Sequence, residues 1–258
     1  MDPRDPKTPS RARAAGARLV HRAIAQDLEP VAEGVWVQRG RVPMKTMSVF
    51  LIADEGGGVT LFDAGIEAMT PVLTEAGAAM GGINRVVLGH AHPDHRGAAP
   101  GLGAPVLCHS ADRADAEGDG GMRHFDFSRL GIPARWTMPR LLRWWDGGPV
   151  TIADTLEEGD EVSGFRVVHL PGHTPGMIAL HRESDRLALT SDCFYTLNAE
   201  TSRKGPPRVP HPAFNRDSEQ ARASIRKLAA LDLTAAWPGH ADPVLGDVRG
   251  QLERAAAA

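Results

Sequence analysis

The sequence predicts an α/β fold, and three observations carry that reading. Short apolar, β-branched runs such as Met47–Ala53 (MSVFLIA) and Val59–Asp63 (VTLFD) carry strand signals, with Gly56-Gly57-Gly58 as a turn between them. A helical stretch, Glu67–Met80, follows and is stopped by Gly81-Gly82. This strand-rich half is succeeded by a second strand-rich half, each with flanking helices.

In chain order, residues 1–33 read as an N-terminal tail, Pro-rich and charged at first. Within it Arg11–Leu28 is either an amphipathic helix or a partly ordered extension. Residues 34–258 read as one domain. Strands are expected at Val35–Val37, Met47–Ala53, Val59–Asp63, Arg85–Leu88 and Ala104–His109, with a short helix over Pro93–Ala99 and another over Ala111–Glu117. Gly118–Pro149 has a different texture, with three of the five tryptophans and arginines 123, 129, 135, 140 and 143, and no sustained period. It reads as an irregular, lid-like insertion with one short helix over Pro139–Trp145. Strands resume at Val150–Ile152, Phe165–Leu170, Met177–His181 and Leu187–Thr190, followed by a Pro-rich loop, Thr196–Phe214. Asn215–Leu231 is a helix with Asn215 or Asp217 as its cap and an apolar stripe at Ala221, Ile225, Leu228 and Leu231. A strand at Ala235–Trp237 and a helix over Pro243–Arg254 end the chain.

Composition narrows the function. At 258 residues, 42% hydrophobic and 24% charged, the chain can bury a sizeable core. A net charge of -3 argues against a general nucleic-acid binder. Only Cys108 and Cys193 are present, which makes no disulfide framework and suits a reducing compartment. No secretory signal and no spanning apolar run is visible, so a cytoplasmic setting without a membrane partner is expected.

The chemistry concentrates at Arg85–Gly97 (RVVLGHAHPDHRG), where a predicted strand delivers His90, His92, Asp94 and His95. Imidazole is neutral near pH 7 and offers one nitrogen to a metal while the other is held by a hydrogen bond. Further single residues stand at strand ends: Asp63, His173 in LPGHTPG, Asp192 in TSDC and His240 in WPGHAD. The flanking Gly and Pro impose tight turns. Histidines 109, 124, 169, 181 and 211 lack such settings and read as structural or surface residues.

The H-x-H-x-D-H cluster with these downstream residues resembles the metallo-β-lactamase superfamily, over roughly Gly34 to the end. The resemblance implies a four-layer αββα sandwich. It implies two zinc ions per chain, with iron or manganese as alternatives. His90, His92 and His173 would hold one ion, Asp94, His95 and His240 the other, and Asp192 would bridge them. Asp63 would orient a ligand histidine. A zinc-bound hydroxide would be the nucleophile, since metal binding lowers the pKa of water from about 15.7 to about 7.

Aspartate at position 192, where secreted β-lactamases carry cysteine, points to the glyoxalase II and N-acyl homoserine lactonase branch. Only 18 residues follow His240, so the glutathione-binding extension of glyoxalase II is not expected. Tyr195, the one tyrosine, resembles the lactonase tyrosine that holds a substrate oxygen, and packing under the following loop is its alternative role. Asp94 and Tyr195 are the candidate catalytic residues. The expected reaction is hydrolysis of a lactone or thioester with an apolar acyl or ring portion. The alternatives are a β-lactam or phosphodiester, or a metal-binding protein without turnover. The insertion would cap the cleft, form a homodimer contact, or both.

Overall fold

A computed structural model describes residues 28–40 and 47–258. The helix anticipated over Arg11–Leu28 lies outside the described residues except for Leu28.

The first sheet contains seven strands in chain order: β1 (Glu29–Ala32), β2 (Val35–Arg39), β3 (Ser48–Ala53), β4 (Val59–Phe62), β5 (Ile83–Val87), β6 (Val106–His109) and β7 (Ile152–Leu156). β1 to β4 pair antiparallel and β4 to β7 pair parallel. The helices among them are α1 (Thr70–Ala79), α2 (Pro93–Arg96), α3 (Ala99–Leu102), α4 (Arg113–Ala116) and α5 (Ile132–Trp145). The second half supplies β8 (Glu161–Val162), β9 (Phe165–His169), β10 (Ile178–Arg182), β11 (Leu187–Ser191), β12 (Tyr195–Leu197), β13 (Lys204–Arg208), α6 (Ser218–Ala229), β14 (Ala235–Pro238), β15 (Val244–Leu245) and α7 (Val248–Ala257). Six of these strands form the second sheet, ordered β15-β14-β11-β10-β9-β8, and β12 and β13 form a separate hairpin.

Strand alternation makes the layers. On β3, Val49 and Leu51 face one core while Phe50 and Ile52 face another. The first core joins the first sheet to α1 and the inner side of α5, through Leu73, Leu142 and Trp145. The second lies between the sheets, where Phe50, Phe62 and Val87 meet Phe165, Ile178 and Leu189. The third seats Ile225 and Leu228 of α6 and Leu252 of α7 on the second sheet. Helix, sheet, sheet and helix are thus stacked in an αββα sandwich. Both faces of the central strands are covered, which is why they read as near-continuous apolar runs. No described helix is long and apolar enough to cross a membrane.

The structure departs from the sequence reading in five places. The helix expected over Pro243–Arg254 begins only at Val248, and β15 occupies Val244–Leu245 ahead of it, paired with β14. β1 begins the sheet ahead of Gly34. β7 lies at Ile152–Leu156 and not at Val150–Ile152; it is an edge strand with polar outer residues. The Thr196–Phe214 loop contains the β12–β13 hairpin, whose second strand, KGPPR, tolerates two prolines because it pairs on one side only. α5 runs from Ile132 and includes Pro139 in its interior, where a boundary is expected.

Candidate metal centre

Asp63 and every expected metal-donor residue follow strands at the same edge of the sandwich, while Tyr195 opens the β12–β13 hairpin. Asp63 follows β4, the His90–His95 cluster follows β5, His173 follows β9, Asp192 follows β11 and His240 follows β14. Because β4 pairs parallel with β5 and β11 with β14, their C-terminal ends emerge together. Backbone hydrogen bonds close the two sheets on each other here: Ser48 N donates to Gly239 O at 2.8 Å, and Ile178 N to Gly89 O at 2.8 Å. Gly239 has no room for a side chain, since a Cβ would stand 2.6 Å from both Asp192 Oδ1 and His95 Cε1. Asp63, Ser191 and Ala241 take left-handed backbone, with φ of 62°, 44° and 69°.

His90, His92 and His173 form the first donor set. One ligand atom from each lies within 4.8 Å of the other two, and their Nε2 atoms are buried without a hydrogen-bond partner. His90 Nδ1 lies 3.0 Å from Ser191 Oγ, and His173 Nδ1 lies 3.0 Å from Asn215 Oδ1. The amide oxygen can only accept, so His173 Nδ1 carries the proton and its Nε2 presents a lone pair. Burial lowers the pKa of all three imidazoles, most at His90 and His92, where neighbouring histidines add to it. Three neutral imidazoles with converging, unsatisfied lone pairs fit a cation, which alone would satisfy all three at once.

Asp94, His95 and His240 form the second set, with ligand atoms within 4.8 Å of one another. Asp192 stands between the sets: its Oδ1 is 3.3 Å from His95 Nε2, and its Oδ2 is 3.4 Å from His240 Nε2 and 3.5 Å from His173 Nε2. Burial alone would lower the pKa of His95 and His240. The carboxylates together outweigh it, Asp192 with Asp63 and Asp94 at His95 and Asp192 with Asp94 at His240, raising His95 well above the ordinary value and His240 to about 9. Burial opposes ionisation of Asp94 and Asp192 as well, and the facing histidines outweigh it and hold both carboxyls low. Two carboxylates are thereby kept ionised where a second cation would sit, balanced in its place by the protons on His95 and His240.

Asp63 also lies within reach of His90 and His95, but its oxygens are engaged. Oδ2 accepts from His95 Nδ1 at 2.9 Å and from Ser191 Oγ at 2.8 Å, and Oδ1 accepts from Gly89 N at 2.7 Å. It orients His95 and braces the loop.

Sequence reasoning missed four supporting residues. Ser191 and Asn215 hold ligand imidazoles; Asn215 does not cap α6, which Asp217 caps by accepting from Glu219 N and Gln220 N. Asp112 accepts from Ala91 N at 3.2 Å, Thr174 Oγ1 at 2.7 Å and Gly176 N at 2.6 Å, joining the two histidine loops. Its burial pushes the carboxyl up to about 6. Arg96 is fully buried at the base of the insertion. None carries a spacing signal, although a charged Arg96 directly after a ligand cluster invites inspection.

A cavity of about 370 Å³ opens over Asp94, His173, Asp192 and His240. Met138, Leu141, Leu142 and Trp145 of α5 roof it, with Phe125 and Phe214 beside them. Of the three tryptophans in the insertion only Trp145 lines it; Trp136 and Trp144 face outward. None of the five insertion arginines lines it either. Arg123 and Arg129 pair with Asp119 and Asp126 at 3.3 and 2.9 Å, and the others are exposed. Tyr195 lies at the cavity wall, and its hydroxyl donates to Asp192 Oδ2 at 2.8 Å. Cys193, next to Asp192, points away into the core between the second sheet and its helices.

Comparison with known proteins places this geometry. The chain is 28% identical to the probable metallo-hydrolase YflN of Bacillus subtilis (strain 168), over 76% of this chain and 80% of that protein. Its fold is similar to the metallo-beta-lactamase family protein TTHA1429 of Thermus thermophilus, with a TM-score of 0.63 at 24% identity, covering 88% and 80% of the two chains. It is also similar to TTHA1623, solved in a di-iron-bound form, with a TM-score of 0.57 at 25% identity over 83% and 94%. Residues 46–240 match the metallo-beta-lactamase superfamily. The chain, with its histidine and aspartate groups able to bind divalent metal, therefore belongs to the metallo-beta-lactamase superfamily.

Proposed function

We propose that this protein is a dinuclear metallo-hydrolase that cleaves a lactone or thioester with an apolar acyl portion. The observation that carries the proposal is the pair of donor sets joined at Asp192 and opening on an apolar cavity. His90, His92 and His173 would hold the first ion and Asp94, His95 and His240 the second, with the Asp192 carboxylate placed between the two sets. The imidazole-rich donors suit zinc, with iron as the alternative, and the di-iron form of TTHA1623 supports a count of two. Two divalent ions supply a water nucleophile active near neutral pH and polarise the substrate carbonyl.

The chain's own residues do the rest. Asp63 fixes His95, and Ser191 and Asn215 fix His90 and His173, so the donors are set before substrate arrives. Burial, together with the Asp192 and Asp94 carboxylates, raises the Tyr195 pKa well above its ordinary value, so the phenol stays a hydrogen-bond donor. Placed at the cavity wall, it would turn its one hydrogen from Asp192 Oδ2 to the oxygen that gains charge as the carbonyl is attacked. Asp94, at the cavity floor and held ionised, would take the proton that the attacking water loses and pass it to the departing alkoxide or thiolate. The described residues lining the cavity include no lysine or arginine, which favours a neutral ester over a phosphodiester.

The test is metal analysis followed by a panel of a lactone, a thioester, a β-lactam and a phosphodiester, with wild type and Asp94→Ala. The reading expects two ions per chain and lactone or thioester turnover that collapses in Asp94→Ala. Less than one ion per chain, or turnover indifferent to that substitution, would sink it.

A further inference from the structure

The two sides of α5 differ. Met138, Leu141, Leu142 and Trp145 face inward, as does Ala134. At 100° per residue the opposite side presents Ile132, Trp136, Arg140 and Arg143, with Trp144 on the flank between that side and the cavity. Ile132, Trp136 and Trp144 are 74%, 64% and 62% exposed, and only Leu245 accompanies them as a large exposed hydrophobic among the described residues. Three of four such side chains thus belong to this one helix, two on its outer side and Trp144 on its flank, a concentration that marks a contact surface.

Charge identifies the contact. From Phe127 to Trp145 the chain carries Arg129, Arg135, Arg140 and Arg143 and no acidic residue, although the whole chain is net -3. Among the described residues, Arg135, Arg140 and Arg143 make no ion pair with a carboxylate. A twofold contact of this face with a second copy would bring arginines towards arginines. Tryptophan with arginine on one helix face suits the boundary of an anionic bilayer. There indole rings rest at headgroup depth and guanidinium groups reach the phosphates over their apolar stems.

We propose that the outer face of α5 docks the protein on an anionic lipid surface, with Ile132, Trp136 and Trp144 entering the headgroup boundary and Arg140 and Arg143 engaging lipid phosphates. This attachment lies on the membrane and needs no spanning segment, so it departs from the expectation of no membrane partner, which rested on the lack of a long apolar run. Trp144 also walls a groove of about 660 Å³ with Ile66, Pro71 and Pro100; the exposed Glu67 lines it too, so the lipid-facing surface is confined to the helix itself. Docking would hold the roof of the reaction cavity one helix diameter, about 10 Å, from the bilayer. The docking surface stands independently of the hydrolase reading, because lipid binding is measured without turnover.

The test is co-sedimentation of the full chain with vesicles of phosphatidylcholine alone and with vesicles in which phosphatidylglycerol replaces part of it. The expected result is binding to the second kind only, weakening as salt is added. The double variant Arg140→Glu/Arg143→Glu should lower that binding roughly 10-fold or more. Trp136→Ser/Trp144→Ser should lower it too, with circular dichroism and metal content unchanged in both. The basic residues before Leu28 are retained in these variants, so the loss is assigned to α5. Equal binding to both vesicle types, no binding, or binding unchanged in the variants overturns the proposal. So does a dimer in vesicle-free sedimentation that Trp136→Ser/Trp144→Ser dissociates, which would assign the face to a second copy.

Discussion

Arg96 and Asp146 form a two-pronged ion pair, with Nε to Oδ1 at 3.0 Å and Nη2 to Oδ2 at 2.8 Å. The third nitrogen, Nη1, donates to the carbonyls of Asp115, Ala116 and Gly118 at 3.0, 2.7 and 3.1 Å. Gly118 opens the cavity-roofing insertion and Asp146 ends its helix, so one buried guanidinium, next to His95 of the second donor set, holds both roots.

Removing that fork should loosen the roof. Arg96→Met leaves a carboxylate and three carbonyls without their donor and should destabilise the protein by about 3 kcal/mol. Arg96→Lys keeps the charge but not the planar geometry and should recover only part of it. Urea unfolding and the rate of proteolytic nicking within 118–149 measure both; wild-type values for Arg96→Met would show that the clamp is not needed.

The support of His173 by Asn215 should matter to metal affinity. Asn215→Ala frees Nδ1 and lets the ring turn, so chelator competition should show affinity falling about 10- to 100-fold. The fold should survive, because α6 keeps its Asp217 cap. Unchanged affinity would mean that packing alone orients the imidazole.

Tyr195→Phe separates binding from chemistry. With the phenol deleted and the ring kept, metal content should stay constant while kcat falls about 10-fold or more. A fall in metal content at constant kcat per bound ion would instead make the hydroxyl a brace for Asp192.

His109 and His181 should make stability acid-sensitive. Burial lowers both imidazole pKa values, and at His109 the stacked ring of His169, 3.9 Å away between centroids, adds to it. The unfolded chain then binds protons that the folded chain refuses. Their contribution is complete above the unfolded value near 6.5 and is lost as pH falls through it towards the depressed folded values. Urea midpoints should therefore drop between about pH 7.5 and about pH 5.5. His109→Asn, which retains an acceptor for Ala111 N, should flatten the drop; an identical slope would clear His109 of the effect.

The parts of this molecule that follow from local pattern are legible in the sequence. The central strands announce themselves because both faces are buried, and the His90–His95 cluster does so because that density of imidazoles serves little but metal. The structure brings His173, Asp192 and His240 to the same place, as the resemblance implies. What is not legible depends on partners distant in sequence. Asn215 looks like a helix cap until His173 is seen beside it. Asp112 looks like a surface acid until two histidine loops close over it. Sequence pattern cuts α5 short because Pro139 removes a backbone donor, whereas the inward packing of Met138, Leu141 and Leu142 keeps the helix continuous. β7 and β13 lack strand composition and owe their conformation to the single neighbour each pairs with.

Asp63, Ser191 and Ala241 turn the backbone against its preferred hand beside the site, at about 1 kcal/mol or more each. Selection for heat resistance alone would therefore find its easiest gains in these turns, by letting them relax. Variants recovered from such a screen would be tougher proteins with misplaced donors, and thermal tolerance would rise as hydrolysis faded. Any programme to harden this scaffold has to hold residues 63, 191 and 241 fixed and look for improvement elsewhere.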